Sequence, residues 1–97
     1  MNAYLVLDLT VHDLRGFLPY ADAIPAFIEK HGGRYLVRGV PPTVMEGDWA
    51  PDLMVILEFP SRAHAEAFLA DPDAQELFAL RHRTTTSKLV LVDALRS

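Results

Sequence analysis

The side chains in this sequence best suited to chemistry are arginines, tyrosines and carboxylates set beside apolar runs. Arg34 and Arg38 flank Leu36 in the segment Arg34-Tyr35-Leu36-Val37-Arg38. Strict alternation puts both guanidiniums on one strand face, where their forks of N–H donors suit a carboxylate or another anion. The competing expectation is a solvated strand edge, or an interface ion pair with Glu58 or Asp8. Glu58 ends the apolar run Leu53-Met54-Val55-Ile56-Leu57. A carboxylate there is costly unless paired, so it reads as a general base in a sheet-lined pocket or as a buried partner of Arg38 or Arg81. Arg81 stands among Leu77, Phe78 and Leu80. It either points into a pocket between helix and sheet or opposes a helix dipole. Tyr20 offers a phenol to the same cleft, or packs in the core.

Weaker candidates surround these. Ser87 and the run Thr84-Thr85-Thr86 supply hydroxyls to a ligand, or end a helix and start a strand. Glu46, Asp48 and Trp49 share a loop. A carboxylate against an indole can have a raised pKa and serve as an acid or base. The alternative is a turn at Gly47-Asp48, with Trp49 packed on a partner subunit.

Other chemistries lack their residues. His12, His31, His64 and His82 are scattered, with no HxH or i,i+4 pair, so metal-ligand spacing is missing. His31, closing the first helix, is a candidate cleft acid or base. Nothing selects a proximal histidine for haem. Gly32-Gly33 has neither GxGxxG spacing nor a Walker lysine, and there is no GxSxG. Without cysteine there is no thiol nucleophile, disulfide or thiolate metal site. Metal sites and cofactors are therefore expected to be absent.

The elements that must position these residues are legible from periodicity. Leu5, Leu7, Leu9 and Val11 alternate with Tyr4, Val6, Asp8 and Thr10, giving a first strand over residues 4–11. Residues 34–38, 53–59 and 88–93 read as three more. Asp13 caps a helix whose apolar stripe is Leu14, Phe17, Leu18, Ala21, Ile24 and Ile28. Pro19 and Pro25 are expected to bend or split it, and Gly32-Gly33 to end it. Ser61 caps a second helical region. Asp71-Pro72 restarts it with a new cap, so the second helix comes in two pieces. The order β-α-β-β-α-β predicts an α+β, ferredoxin-like sandwich: a four-stranded antiparallel sheet with helices on one face, in a single domain over 1–97.

The chain has 97 residues, 51% of them hydrophobic, and a net charge of −4. A domain this small hides only about 60–65% of its unfolded surface. Leu5, Leu7, Leu9, Val55, Leu57, Leu89 and Leu91 can fill the helix-side core. Tyr4, Val6, Met54, Ile56, Val90 and Val92 are then left on the other sheet face, more than a monomer usually exposes. The expected remedy is a homodimer formed through that open face. The acidic balance argues against nucleic acid. No apolar run reaches the ~20 residues that cross a bilayer. The N-terminus lacks a basic signal region, so the expected location is cytoplasmic.

The segments 32–39, Glu46-Gly47-Asp48-Trp49, Leu57-Glu58-Phe59-Pro60-Ser61, Leu80-Arg81 and 87–92 together resemble the domain-of-unknown-function 1330 family. The resemblance spans essentially the whole chain. It implies a dimeric α/β-barrel of ferredoxin-like subunits, mostly bacterial, in a family with no assigned activity. Related barrels include small monooxygenases, muconolactone isomerase and haem-dependent enzymes, which use a pocket between sheet and helices.

Taken together, the residues point to a small organic ligand held in that pocket by Tyr20, Arg38, Trp49, Glu58, Arg81 and Ser87, with Trp49 at the mouth. The alternative is a cofactor-independent monooxygenase- or isomerase-like enzyme acting on an aromatic or enol-like substrate, with Glu58, Arg38 and Arg81 as catalytic candidates. Either requires a cavity of roughly 300 Å³ or more with convergent polar groups. A cleft filled by Phe17, Phe27 and Phe68 points instead to a non-catalytic dimer.

Overall fold

Side-chain alternation in the first segment produces strand β1, Ala3–Val11. Its odd-numbered residues Ala3, Leu5, Leu7 and Leu9 are all buried. The computed structural model describes residues 1–95. After β1 come helix α1 (Leu14–Lys30), strands β2 (Arg34–Val40) and β3 (Leu53–Phe59), and helix α2 (Arg62–Ala70). A 3₁₀ turn (Pro72–Ala74), helix α3 (Gln75–Thr84) and strand β4 (Thr85–Asp93) follow. The sheet order is β2-β3-β1-β4, with every neighbouring pair antiparallel. This is the ferredoxin-like, split βαβ topology, in which β3 lies between the two strands that α1 connects.

Helices α1 and α2 and the 3₁₀ turn each start where a short polar side chain meets orphan backbone donors, whereas α3 continues from the turn without a side-chain cap. Asp13 Oδ1 accepts from Gly16 N at 3.0 Å, and Ser61 Oγ accepts from His64 N at 3.2 Å. Asp71 Oδ1 accepts from Asp73 N at 3.0 Å, with Pro72 next, where no backbone donor is needed. Gly32, at φ +79°, supplies the left-handed residue that ends α1.

Pro19 and Pro25 do not split α1, which runs unbroken for 17 residues. Pro19 is exposed, so the carbonyl its missing N–H leaves behind can be hydrated. Packing of Tyr20, Ile24 and Ile28 on the sheet carries the helix through. The buried stripe is also rotated from the expected one. Tyr20, Ile24 and Ile28 face inward, while Leu14 and Leu18 are 64% and 48% exposed.

The core lies between helices and sheet. Leu5, Ile24, Ile28, Leu57 and an aromatic series, Phe59, Phe68 and Phe78, fill it. Phe68 stacks against Phe59 and edge-on against Phe78, both at 5.4 Å between ring centroids. Gly33 approaches this series so closely that a Cβ there would stand 2.5 Å from Phe59 Cε1. On the opposite face Tyr4, Val6, Met54 and Ile56 are half-covered, and Val90 and Val92 are exposed. Among the described residues no helix is long and apolar enough to cross a membrane.

Candidate functional site

Strand β2 departs from regular pairing in the way that builds the site. Arg34 pairs with Glu58 and Tyr35 with Leu57, but Val37 rather than Leu36 opposes Ile56. Arg38 then opposes Val55, and a second irregularity passes over Gly39 before Val40 meets Met54. Leu36 is thus an extra residue, and the side chains after it change faces. Arg34 stays on the open face, whereas Tyr35 and Arg38 both turn toward the helices. The expectation that Arg34 and Arg38 share a face is corrected: the bulge separates them.

Tyr35 and Arg38 reach the wall of a cavity of about 250 Å³ between sheet and helices. Leu5, Leu57 and Val55 form its floor, and Phe17, Ala21 and Ile24 of α1 its roof. Phe17 and Phe68 line this space without filling it, and Phe27 packs on the core outside it. The volume falls slightly below the roughly 300 Å³ where ligand pockets ordinarily begin, which suits a compact ligand.

Four polar side chains line the cavity: Tyr20, Tyr35, Arg38 and Arg81. Arg81 is 6% exposed and projects from α3. Its Nη1 donates to Tyr20 Oη at 3.2 Å, and its Nη2 lies 3.3 Å from His82 Nε2. Its guanidinium carbon sits 5.7 Å from the Tyr20 ring centroid and 5.5 Å from that of Phe78. Arg38 lies over the Tyr35 ring at 4.6 Å. Burial pushes the Tyr35 phenol above its ordinary pKa, against the opposing pull of the Arg38 charge.

The other expected site residues lie elsewhere. Glu58 faces the open side, where Arg34 Nε donates to its Oε1 at 2.8 Å. That bond holds the carboxyl below its usual pKa. Pairing of Glu58 with Arg38 or Arg81 is corrected accordingly, and Glu58 does not share their cavity. Trp49 does not shape the cavity mouth. It is 60% exposed on the open side, and its Nε1 donates to Asp8 Oδ2 at 3.0 Å. Asp8, Thr10, Asp48, Trp49 and Lys88 form a separate polar cleft there. Ser87 pairs with Leu9 on the helix side of the sheet but does not line the cavity. The neighbouring threonines close α3 instead, with Thr84 Oγ1 donating to Leu80 O at 2.8 Å and Thr85 Oγ1 to Arg81 O at 2.6 Å. Of the expected set, Tyr20, Arg38 and Arg81 converge, and the unexpected member is Tyr35. Its signal was simple alternation, since Tyr35 follows Arg34 and opposes Leu57 before the strand departs from regular pairing.

Among the described residues no three of His, Asp and Glu cluster as a metal site. His31 is drawn instead to Asp71, with Nε2 and Oδ2 2.8 Å apart, and Lys30 Nζ donates to the same oxygen at 2.8 Å.

The fold and its cavity define an α+β protein of the ferredoxin-like class. The chain belongs to the family described as Domain of unknown function (DUF1330), whose model matches residues 2–95. No curated protein matches it. Among solved structures it is similar to RPA0582, a protein of unknown function from Rhodopseudomonas palustris. The identity is 18%, covering 99% of this chain and 84% of that one, with a TM-score of 0.79. It is also similar to SnoaB, a cofactor-independent oxygenase from Streptomyces nogalater. There the identity is 18%, the coverage 99% and 95%, and the TM-score 0.66. A dimeric ferredoxin-like protein of unknown function from Jannaschia sp. CCS1 is 12% identical. The coverage is 97% and 100%, and the TM-score 0.63.

Proposed function

We propose that this chain binds a compact, largely apolar organic molecule in the cavity between α1 and the sheet, and does so as a homodimer joined through the open sheet faces. The observation that carries the reading is the cavity itself, which persists beside a well-packed aromatic core and is walled mostly by aliphatic side chains. Walls of this kind suit the apolar body of a guest. The dimeric arrangement of the Jannaschia protein supports the assembly.

A second reading, an enzyme resembling cofactor-independent oxygenases or isomerases, draws support from the fold of SnoaB. Arg38 and Arg81 could stabilise an enolate or phenolate oxygen. However, among the described residues no histidine or carboxylate lines the cavity. An enzyme of this kind would have to receive its substrate already ionised, or remove the proton through a tyrosine. Binding is therefore the leading reading.

Titration with indole, followed through the methyl resonances of Ile24, Val55 and Leu57, tests it. The expected result is a saturable shift confined to those methyls, abolished by Ala21→Phe, which fills the roof. Indole leaving the methyls unmoved at millimolar concentration would refute the cavity reading.

A further inference from the structure

Two cations line the cavity, and among the described residues no anion answers them. The ion pairs formed among the described residues engage Lys30, His31, Arg34 and Arg62. None involves Arg38 or Arg81. For Arg38, at the exposed end of the wall, that is unremarkable, because water solvates it. For Arg81 it is not. A guanidinium cannot shed its charge at any physiological pH, and removing one from water without a counter-charge is costly. The surroundings compensate only in part. Two aromatic faces, the Tyr20 hydroxyl, His82 Nε2 and the negative end of α3 take up some of the charge. Arg81 Nε remains a buried nitrogen with no hydrogen-bond partner.

Resting on the cavity reading above, we propose that the ligand is an organic carboxylate, its head bound by Arg81 and Arg38 and its apolar body lying along the aliphatic walls. The charge supplies the counter-ion that the chain withholds. The donors also discriminate among anions. A planar carboxylate matches the fork of a guanidinium and needs few donors. A phosphate monoester brings nearly two charges and three strongly accepting oxygens, and beyond the two arginines this wall offers only two phenols. Tyr35, whose phenol is protonated at neutral pH and which lines the same wall, offers a donor to the second carboxylate oxygen. The cavity volume admits a single ring or a short branched chain rather than a fatty acid. The polar cleft across the sheet shows no comparable imbalance, since Lys88 there faces Asp8 and Asp48.

Benzoate and benzamide share size and shape and differ in charge, so their comparison isolates the proposed contact. Both are titrated at low salt near pH 7 into wild type, Arg81→Gln and Arg38→Gln, with the Ile24 and Val55 methyls reporting position. Wild type is expected to bind benzoate about tenfold or more tighter than benzamide, as a charge-assisted hydrogen bond implies. Arg81→Gln is expected to erase that preference, lowering benzoate affinity about tenfold or more relative to wild type. Arg38→Gln, at an exposed position that poses no folding risk, is expected to reduce it about threefold by removing a more screened charge. Equal binding of the two probes by wild type overturns the proposal. So does a preference that survives either substitution intact, and Arg38→Gln decides alone if Arg81→Gln does not fold. Indole binding without benzoate binding removes the carboxylate claim and leaves the cavity reading standing. If neither binds, both fall.

Discussion

Asp71 joins three parts of the chain through one carboxylate. Its Oδ1 caps the 3₁₀ turn, and its Oδ2 receives Lys30 and His31 from the end of α1, each at 2.8 Å. Those contacts, led by the Lys30 bond, hold the carboxyl far below the ordinary aspartate range, and the same bond raises the Lys30 pKa. The sign of the linkage follows. A carboxyl depressed in the native state stabilises fully above its unfolded pKa of about 3.9, and loses that contribution as pH falls from there toward the native value. Lys30 contributes in the opposite sense, fully below its unfolded pKa of about 10.4 and fading as pH rises through its raised native value. Thermal melts from pH 2 to pH 7 are expected to show wild type losing stability steeply below about pH 4. Asp71→Asn, which keeps a competent cap, should start from a lower melting temperature at pH 7 and lose less on acidification. Parallel curves for the two proteins would refute the linkage. The cap at Asp71 was legible from the Asp-Pro pair. Its partners Lys30 and His31 were not, because they lie 41 and 40 residues away and only the packing of α1 brings them near.

Strand β2 shows where element-level reading of the sequence holds and where it fails. The alternation in β1 and β3 was sufficient, because their pairing is regular over seven residues. In β2 the same rule put Arg38 beside Arg34, and a single unpaired Leu36 reversed it. Periodicity carries no information about a bulge, which depends on what the neighbouring strand offers. Proline in α1 misled for a related reason, since local propensity yielded to burial of Tyr20, Ile24 and Ile28. Gly39 marks the second irregularity at φ +65°, with open space where a Cβ would stand. Backbone conformation alone therefore governs substitution there. Gly39→Ala is expected to cost about 1 kcal/mol in urea unfolding, and Gly39→Asn less, because asparagine tolerates the left-handed region. An Ala variant as stable as wild type would mean that the second irregularity is not maintained.

The molecule as a whole is a slab of 38 × 37 × 15 Å, scarcely thicker than one helix laid on one sheet. A monomer of 10.8 kDa ordinarily exposes about 5,500 Å², and this one exposes 6261 Å². Part of the excess is the open sheet face, where Val90 and Val92 are 56% and 49% exposed. That apolar surplus was visible in the composition before any fold was assigned. Val90→Glu is expected to leave the fold intact, since the side chain already meets solvent in the single chain. It should weaken the proposed dimer about 100-fold or more by burying like charges across a two-fold interface. Sedimentation velocity of wild type and variant from 1 to 100 µM, ranges chosen to bracket typical dimers at about micromolar affinity, provides the measurement. A wild type that sediments as a monomer throughout would remove the dimer.

The sheet is a single layer of backbone, and on β1 Leu5 and Leu7 line the cavity while Tyr4 and Val6, between them, face the other way. It therefore serves as a party wall: a tenant on one side leans on the same timbers as a tenant on the other. A guest that fits the paired form better than the single chain must tighten the pair, and pairing must tighten the guest's hold by the same factor. Occupancy would then depend on how much of this protein is present as well as on how much ligand.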